Sequence, residues 1–208
     1  VKIFDISMSI SKDMQVYKNK PEKKPIYKVT HDFSTGKIYE SAITMDMHTG
    51  THVDAPLHVI QNGKTIDDTS LEKLITNCKV VNLTKISEKI SASDLLEVNI
   101  EMEDFILFKT KNSFTDEFKD NFVYLDESGA KVLRDKKIKG VGIDSLGIER
   151  DQPGYPTHKL LLQEGIVILE GLRLKDIEEG EYTLLAVPLK IEGVEACPVR
   201  AILLNGIL

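Results

Sequence analysis

The chain has no tryptophan, two cysteines and five histidines in 208 residues. Cys78 and Cys197 lie far apart and outside any C-x-x-C, which excludes a disulfide framework and a cysteine-based zinc site and leaves two small buried apolar side chains. There is no G-x-S-x-G and no Cys beside a His, so the usual signatures of a serine or cysteine hydrolase are missing. No apolar run approaches the roughly 20 residues that span a bilayer, and "VKIFDISMSI" carries acid and serines where a signal peptide has an unbroken apolar stretch. The expectation is a cytoplasmic protein with no membrane partner. Net charge is -6, and "KPEKK" (20–24) and "RDKKIK" (134–139) are isolated basic runs, so nucleic acid is not an expected partner either. No repeat, low-complexity tract or Pro/Gly/Ser-rich linker divides the chain, which reads as one domain over 1–208.

What is present is a succession of short apolar runs with strand character: 2–7, 25–33, 40–47, 78–84, 104–110, 139–144, 165–172, 182–192 and 199–204. Several are nearly continuous, as strands covered on both faces are. Helical patterns are fewer and shorter, at 69–77, 91–97, 126–136 with Asp126 as N-cap, and 157–165 from a Thr157 cap to a stop at Gly165. Many strands with a few helices between them predict a mixed α/β fold with a β-rich core.

The scarce histidines are not scattered. His48, His52 and His58 share eleven positions with Asp54, in "HTGTHVDAPLH". A straight strand would hold His48 and His58 about 33 Å apart, so a site built from this run requires a bend. Gly50 permits one, and Pro56 suits a first helical turn. The segment reads as a strand ending near His48, a tight turn, and a short helix after Asp54. Two imidazoles and a carboxylate so gathered suit Zn(II), or Mn(II) or Fe(II) with further oxygen ligands, and His58 stands where a proton carrier is needed. Taken singly, Asp54 is a helix cap and each His a satisfied core or surface residue; the clustering favours metal. His158, at a helix start, and Glu170, at the end of the apolar "IVILE", have solvent-exposed readings of their own, although an acid there is costly to bury unless paired.

"HTGTHVDAPLH" resembles the H-x-G-T-H-x-D-x-P-x-H signature of the cyclase family of metal-dependent hydrolases, whose best-described members are bacterial kynurenine formamidases (arylformamidases). "FDIS", "DMQVY", "FILFKT", "VGIDSLGIE", "HKLLLQEGIVILEGL" and "LAVPLKIEGVEACPVRAIL" are similar to that family's blocks, in the family's order. The resemblance implies a compact α/β domain of the swivelling β/β/α type, assembled as a homodimer or homotetramer. It implies His48, His52 and Asp54 on one metal, Asp54 also reaching a second, His158 on the second, Glu170 touching both, and His58 as proton donor and acceptor. The implied cofactor is Zn(II), two ions per subunit, with Mn(II) as the alternative, and the implied substrate is a small molecule, N-formylkynurenine.

Two departures concern the substrate side. Where the formamidase pattern has Trp followed by Pro, Gly and Asp, this chain has Tyr17, Lys18, Asn19 and Lys20. Tyr17 is a loop aromatic that would wall a substrate pocket. In "VGIDSLGIE", Ser145 is followed by Leu146 and Gly147 without a second Asp, and Asp144 reads as a strand end. Alternatives are a cyclic amide such as isatin, a lactone or a polyketide as substrate, or a metal-binding protein without turnover.

Overall fold

A computed structural model describes residues 1–205. Its strands are β1 (Lys2–Asp5), β2 (Ile26–His31), β3 (Glu40–Thr44), β4 (His52–Asp54), β5 (Ile75–Asn82), β6 (Lys89–Ile90), β7 (Phe105–Lys109), β8 (Tyr124–Leu125), β9 (Gly140–Ile143), β10 (Val167–Glu170), β11 (Gly180–Leu185), β12 (Ala196–Pro198) and β13 (Ile202–Asn205). Two α-helices, α1 (Glu127–Asp135) and α2 (Pro156–Gln163), and several single 3-10 turns complete the mixed α/β fold expected from the pattern.

Nine strands form one sheet in the order β1-β13-β11-β5-β7-β9-β10-β4-β12. The centre, β5-β7-β9-β10, is parallel, and pairings outside it are antiparallel. Within it β7, β9 and β10 are the continuous apolar runs, buried on both faces: Phe105 and Leu107 of β7 enter one core, Ile106 and Phe108 the other. The second core is roofed by α1 and α2 through Leu133 and Leu161. In the first, Leu203 of β13 and Val53 of β4 pack into a single cluster although their strands lie towards opposite ends of the sheet, so the sheet curls upon itself.

α1 starts as its sequence requires, with the Asp126 carboxylate accepting the Gly129 N–H at 3.0 Å. α2 does not. Its cap is Tyr155 in the left-handed region (φ 55°), with Pro156 in the first helical position, and Thr157 lies inside the helix donating its hydroxyl to the Leu125 carbonyl. The far end closes as expected: Gly165 (φ 68°) and Ile166 donate back to the Leu162 and Leu161 carbonyls, at 3.1 and 3.0 Å. The helix expected over 69–77 is also corrected. A single turn at Leu71–Lys73 gives way to β5 from Ile75, because pairing with β11 and β7 outweighs local propensity. The 91–97 pattern shortens to one 3-10 turn, Ala92–Leu95, and the strand placed over 40–47 ends at Thr44, short of His48.

Candidate active site

β4 is three residues long and fully buried. In its pairing with β10, Glu170 lies opposite His52 and Ile168 opposite Asp54. Alternate residues share a face and cross-strand partners share it too, so His52, Asp54 and Glu170 project to one side of the sheet. Ile168 belongs to the helix-roofed core, which identifies that side. α2 presents a buried stripe of Thr157, His158, Leu161 and Leu162 to it, and His158 is the stripe's polar member nearest the strand ends. Local helix and strand periodicity thus aims four donors at one point.

The segment before β4 bends as its glycine predicted. Gly50 has φ 66°, and Gly171, directly after β10, has φ 71°. Their backbones touch: a Cβ on Gly171 would overlap the Gly50 carbonyl. Thr51 ties the seam, its hydroxyl donating to the Gly171 carbonyl at 2.6 Å and accepting the Met8 N–H at 2.8 Å. His48, upstream of the bend, is thereby returned to within 3.0 Å (Nδ1) of Asp54 Oδ1.

The remaining distances are short. His52 Nε2 lies 3.5 Å from Asp54 Oδ1 and 3.3 Å from Glu170 Oε2; His158 Nε2 lies 3.7 Å from Asp54 Oδ2 and 3.5 Å from Glu170 Oε1. Two donor triads emerge, His52–Asp54–Glu170 and His48–Asp54–His58, sharing Asp54. Both Asp54 oxygens and the Nε2 atoms of His48 and His52 are buried with no hydrogen-bond partner. Buried polar atoms are nearly always paired, so this concentration at one point marks a place built for an ion. The donor set, imidazole nitrogens with two carboxylates, fits a borderline divalent cation. His52 is preset for it: Nδ1 sits 2.9 Å from the Gly50 carbonyl, and donating there leaves Nε2 free to coordinate.

Charge tells the same story. Burial would lower His52, but the Glu170 carboxylate 3.3 Å away and the charge of Asp54 outweigh it and raise the imidazole to about 9. His158 is driven against its own burial to about 10 by Glu149, Glu170 and Asp54. Glu170, which burial would raise, is held well below the usual carboxylate range by His158 and His52. The carboxylates thus draw positive charge to the point where the orphaned atoms converge, and a metal ion there competes with protons.

His58 ends the single 3-10 turn Pro56–His58. Its ring lies 4.2 Å from that of His48 and 5.4 Å from that of His158, centroid to centroid. It is the open member of the group. Partial burial of the ring lowers it below its ordinary value, an effect that Asp54 opposes and His48 and His158 reinforce. A neutral, accessible imidazole beside the cluster is poised to exchange protons.

Above the donors opens a cavity of about 710 Å³, reached by His48, His58, His158 and Glu170 from below and by Tyr17 from the side. Tyr17 packs edge-on against Phe118 and Phe122, at 5.4 and 6.4 Å, in a small apolar cluster that includes Met8, Met14 and Val16. The structure therefore brings together every residue singled out from the sequence as ligand, proton carrier or pocket wall. Two neighbours went unread. Glu149 is buried, accepts the His158 N–H at 3.1 Å and sets Oε2 3.4 Å from His158 Nδ1. Glu195 Oε1 lies 3.6 Å from His48 Nε2. Neither stands in the histidine run; the available signal for Glu149 was an acid closing the apolar stretch "VGIDSLGIE". Asp144 in that stretch accepts from Thr110, Asn112 and Ser113 and pins the loop after β7, and His31 pairs with Glu40 at 2.7 Å on the exposed β2–β3 hairpin.

Residues 4–150 match the family model described as Putative cyclase. The kynurenine formamidase of Salinibacter ruber is 32% identical over 204 residues, covering 97% of this chain and 96% of that one. A solved "predicted metal-dependent hydrolase" from Bacillus stearothermophilus is 48% identical, with a TM-score of 0.90 and 97% of each chain covered. A "potential metal-dependent hydrolase with cyclase activity" is 47% identical, with a TM-score of 0.91, covering 97% of this chain and 96% of that one.

Proposed function

This chain belongs to the putative cyclase family as a metal-dependent amidohydrolase, and we propose that the bond it cleaves is the formyl C–N bond of an arylformamide such as N-formylkynurenine. The observation that carries this reading is the set of buried, unpartnered donors His52 Nε2 and Asp54 Oδ1 and Oδ2 at the foot of a cavity that His58 lines. The kynurenine formamidase relative supports the substrate class.

His48, His52 and Asp54 would hold one ion, His158 a second, with Asp54 and Glu170 placed between them; we assign Zn(II) to both, with Mn(II) as the alternative. Such a cation supplies a Lewis acid that polarises a carbonyl and acidifies water. The chain's own groups do the rest. Tyr17 closes the side of the cavity and orients an aromatic ring. His58, neutral at physiological pH, takes the proton of the attacking water and returns it to the departing nitrogen, so that amide and water become amine and formic acid, which releases its proton to solvent as formate. Glu149 fixes the orientation of His158.

We place the enzyme in the cytoplasm, a reading supported by two free cysteines and, among the described residues, no helix long and apolar enough to cross a membrane. We also propose a homodimer, itself able to pair into a tetramer. Its support is the β2–β3 hairpin, which leaves both strands exposed along their whole length and bares Ile26, Val29, Phe33, Ile38, Tyr39 and Ile43. A lone two-stranded ribbon is marginal in water, and a second copy would cover it.

The test is metal analysis of the purified protein together with hydrolysis of N-formylkynurenine. Stoichiometric metal and formate release are expected. Bound metal without formamide hydrolysis overturns the substrate class, and absence of both overturns the enzyme reading.

A further inference from the structure

We propose that Lys18 and Lys20 make the rim of this cavity a receptor for a carboxylate, so that the preferred substrates are amides bearing an anionic group. The inference rests on the amidohydrolase reading and adds to it a pair of specificity-determining residues.

Both lysines line the cavity beside Tyr17, and both are exposed. The backbone between them is unusual: Lys18 has φ 58° and Asn19 φ 49°, two consecutive residues with a Cβ in the left-handed region. Asn accepts that conformation, whereas Lys rarely does, and proline, with φ fixed near -65°, cannot. This left-handed pair delivers a lysine to the cavity on each side of Asn19. Lys18 Nζ lies 5.6 Å from the centre of the Tyr17 ring, so the cation stands over the aromatic face expected to flank a substrate ring.

The charge balance of the rim leaves these two lysines without an acidic partner. Lys23, the third lysine on the wall, is held by Asp46 at 3.0 Å. Asp151 is the other acid there, and Glu149 and Glu170 lie buried in the floor against His158 and His52. Among the described residues, neither Lys18 nor Lys20 forms an ion pair. Two ammonium groups without a carboxylate partner, on the wall they share with Tyr17, match an aromatic amide that carries a carboxylate.

The test compares kcat/KM of the zinc-loaded enzyme for formanilide, which is neutral, with that for 2-formamidobenzoate, which is anionic. The variant compared with the parent is Lys18→Asn combined with Lys20→Gln, Asn being suited to the left-handed backbone. The anionic substrate should be preferred, chiefly through a lower KM, and the double substitution should cut the preference about tenfold, from two exposed pairs worth a few-fold each. Raising the salt concentration should shrink it likewise. A preference unchanged by the substitution overturns the inference while the amidohydrolase reading stands. Should neither formamide be hydrolysed, that reading fails instead, and fluorescence titration with 2-aminobenzoate decides: weaker binding by the variant supports the lysine pair, and equal binding overturns it.

Discussion

His58 and Asp54 are four residues apart yet face opposite demands. Asp54 sits with both oxygens buried, without a hydrogen bond and facing three imidazoles, as a metal ligand would; His58 opens to the cavity. His52→Ala or Asp54→Ala should therefore purify without metal, as elemental analysis would show. His58→Ala should keep metal and lose turnover by roughly 10²–10⁴-fold, the usual worth of a positioned acid–base group; loss of metal in that variant would make His58 a ligand, as its triad with His48 and Asp54 allows. Titration separates the roles further. Because His58 is lowered, the acidic limb of kcat/KM should fall at a midpoint below 6.5. His52 and His158 are raised, to about 9 and about 10, so in metal-free protein their stabilisation is fully present below the unfolded value of 6.5 and disappears as pH climbs through 9–10. Melting temperature of the chelator-treated protein should decline over that range, and metal should flatten the decline, since a bound ion replaces the protons.

At the scale of elements, the site is a seam between β4 and β10 with α2 laid over it. The seam depends on the contact of Gly50 with Gly171, where a methyl group would meet backbone. Gly171→Ala should cost about 2 kcal/mol or more and weaken metal binding, seen as a lower melting temperature and a lower metal content together. Glu149→Gln, by loosening His158, should reduce metal affinity roughly 10–100-fold with little change in fold, measured by competition with a chromogenic chelator. The sequence made β4's residues legible as donors without revealing β4 as a strand. Three residues with a glycine before and a proline after carry too little pattern for pairing to be read, and it is pairing with β10 and β12 that fixes their direction. Glu149 escaped for a related reason: its role comes from where α2 lands, and no local spacing encodes that. The Thr157 cap was misread because Pro156 already satisfies the first helical position one residue earlier.

For the whole molecule, the β-rich α/β character was legible because β7, β9 and β10 are continuous apolar runs, as strands buried on both faces are. The curl of the sheet was not, since it arises from Leu203 and Val53 sharing one core across the fold. The exposed hairpin belongs to this scale as well. If it is covered by a second copy, light scattering should report twice the 23.4 kDa of one chain, and Phe33→Ser with Tyr39→Ser should shift the mass towards the monomer. An unaltered monomeric mass in the parent protein would refute the homodimer.

The seam also bears on how the protein comes into being. Thr51 and Gly171 meet across 120 positions of chain, and β4 finds no sheet partner until β10 or β12 has been made. Closing so long a loop is entropically slow, and parallel pairing between β5, β7, β9 and β10 adds further non-local steps. During synthesis His48, His52 and Asp54 are therefore in the chain well before the strand that brings Glu170 to them, so the full donor set exists only in the finished fold.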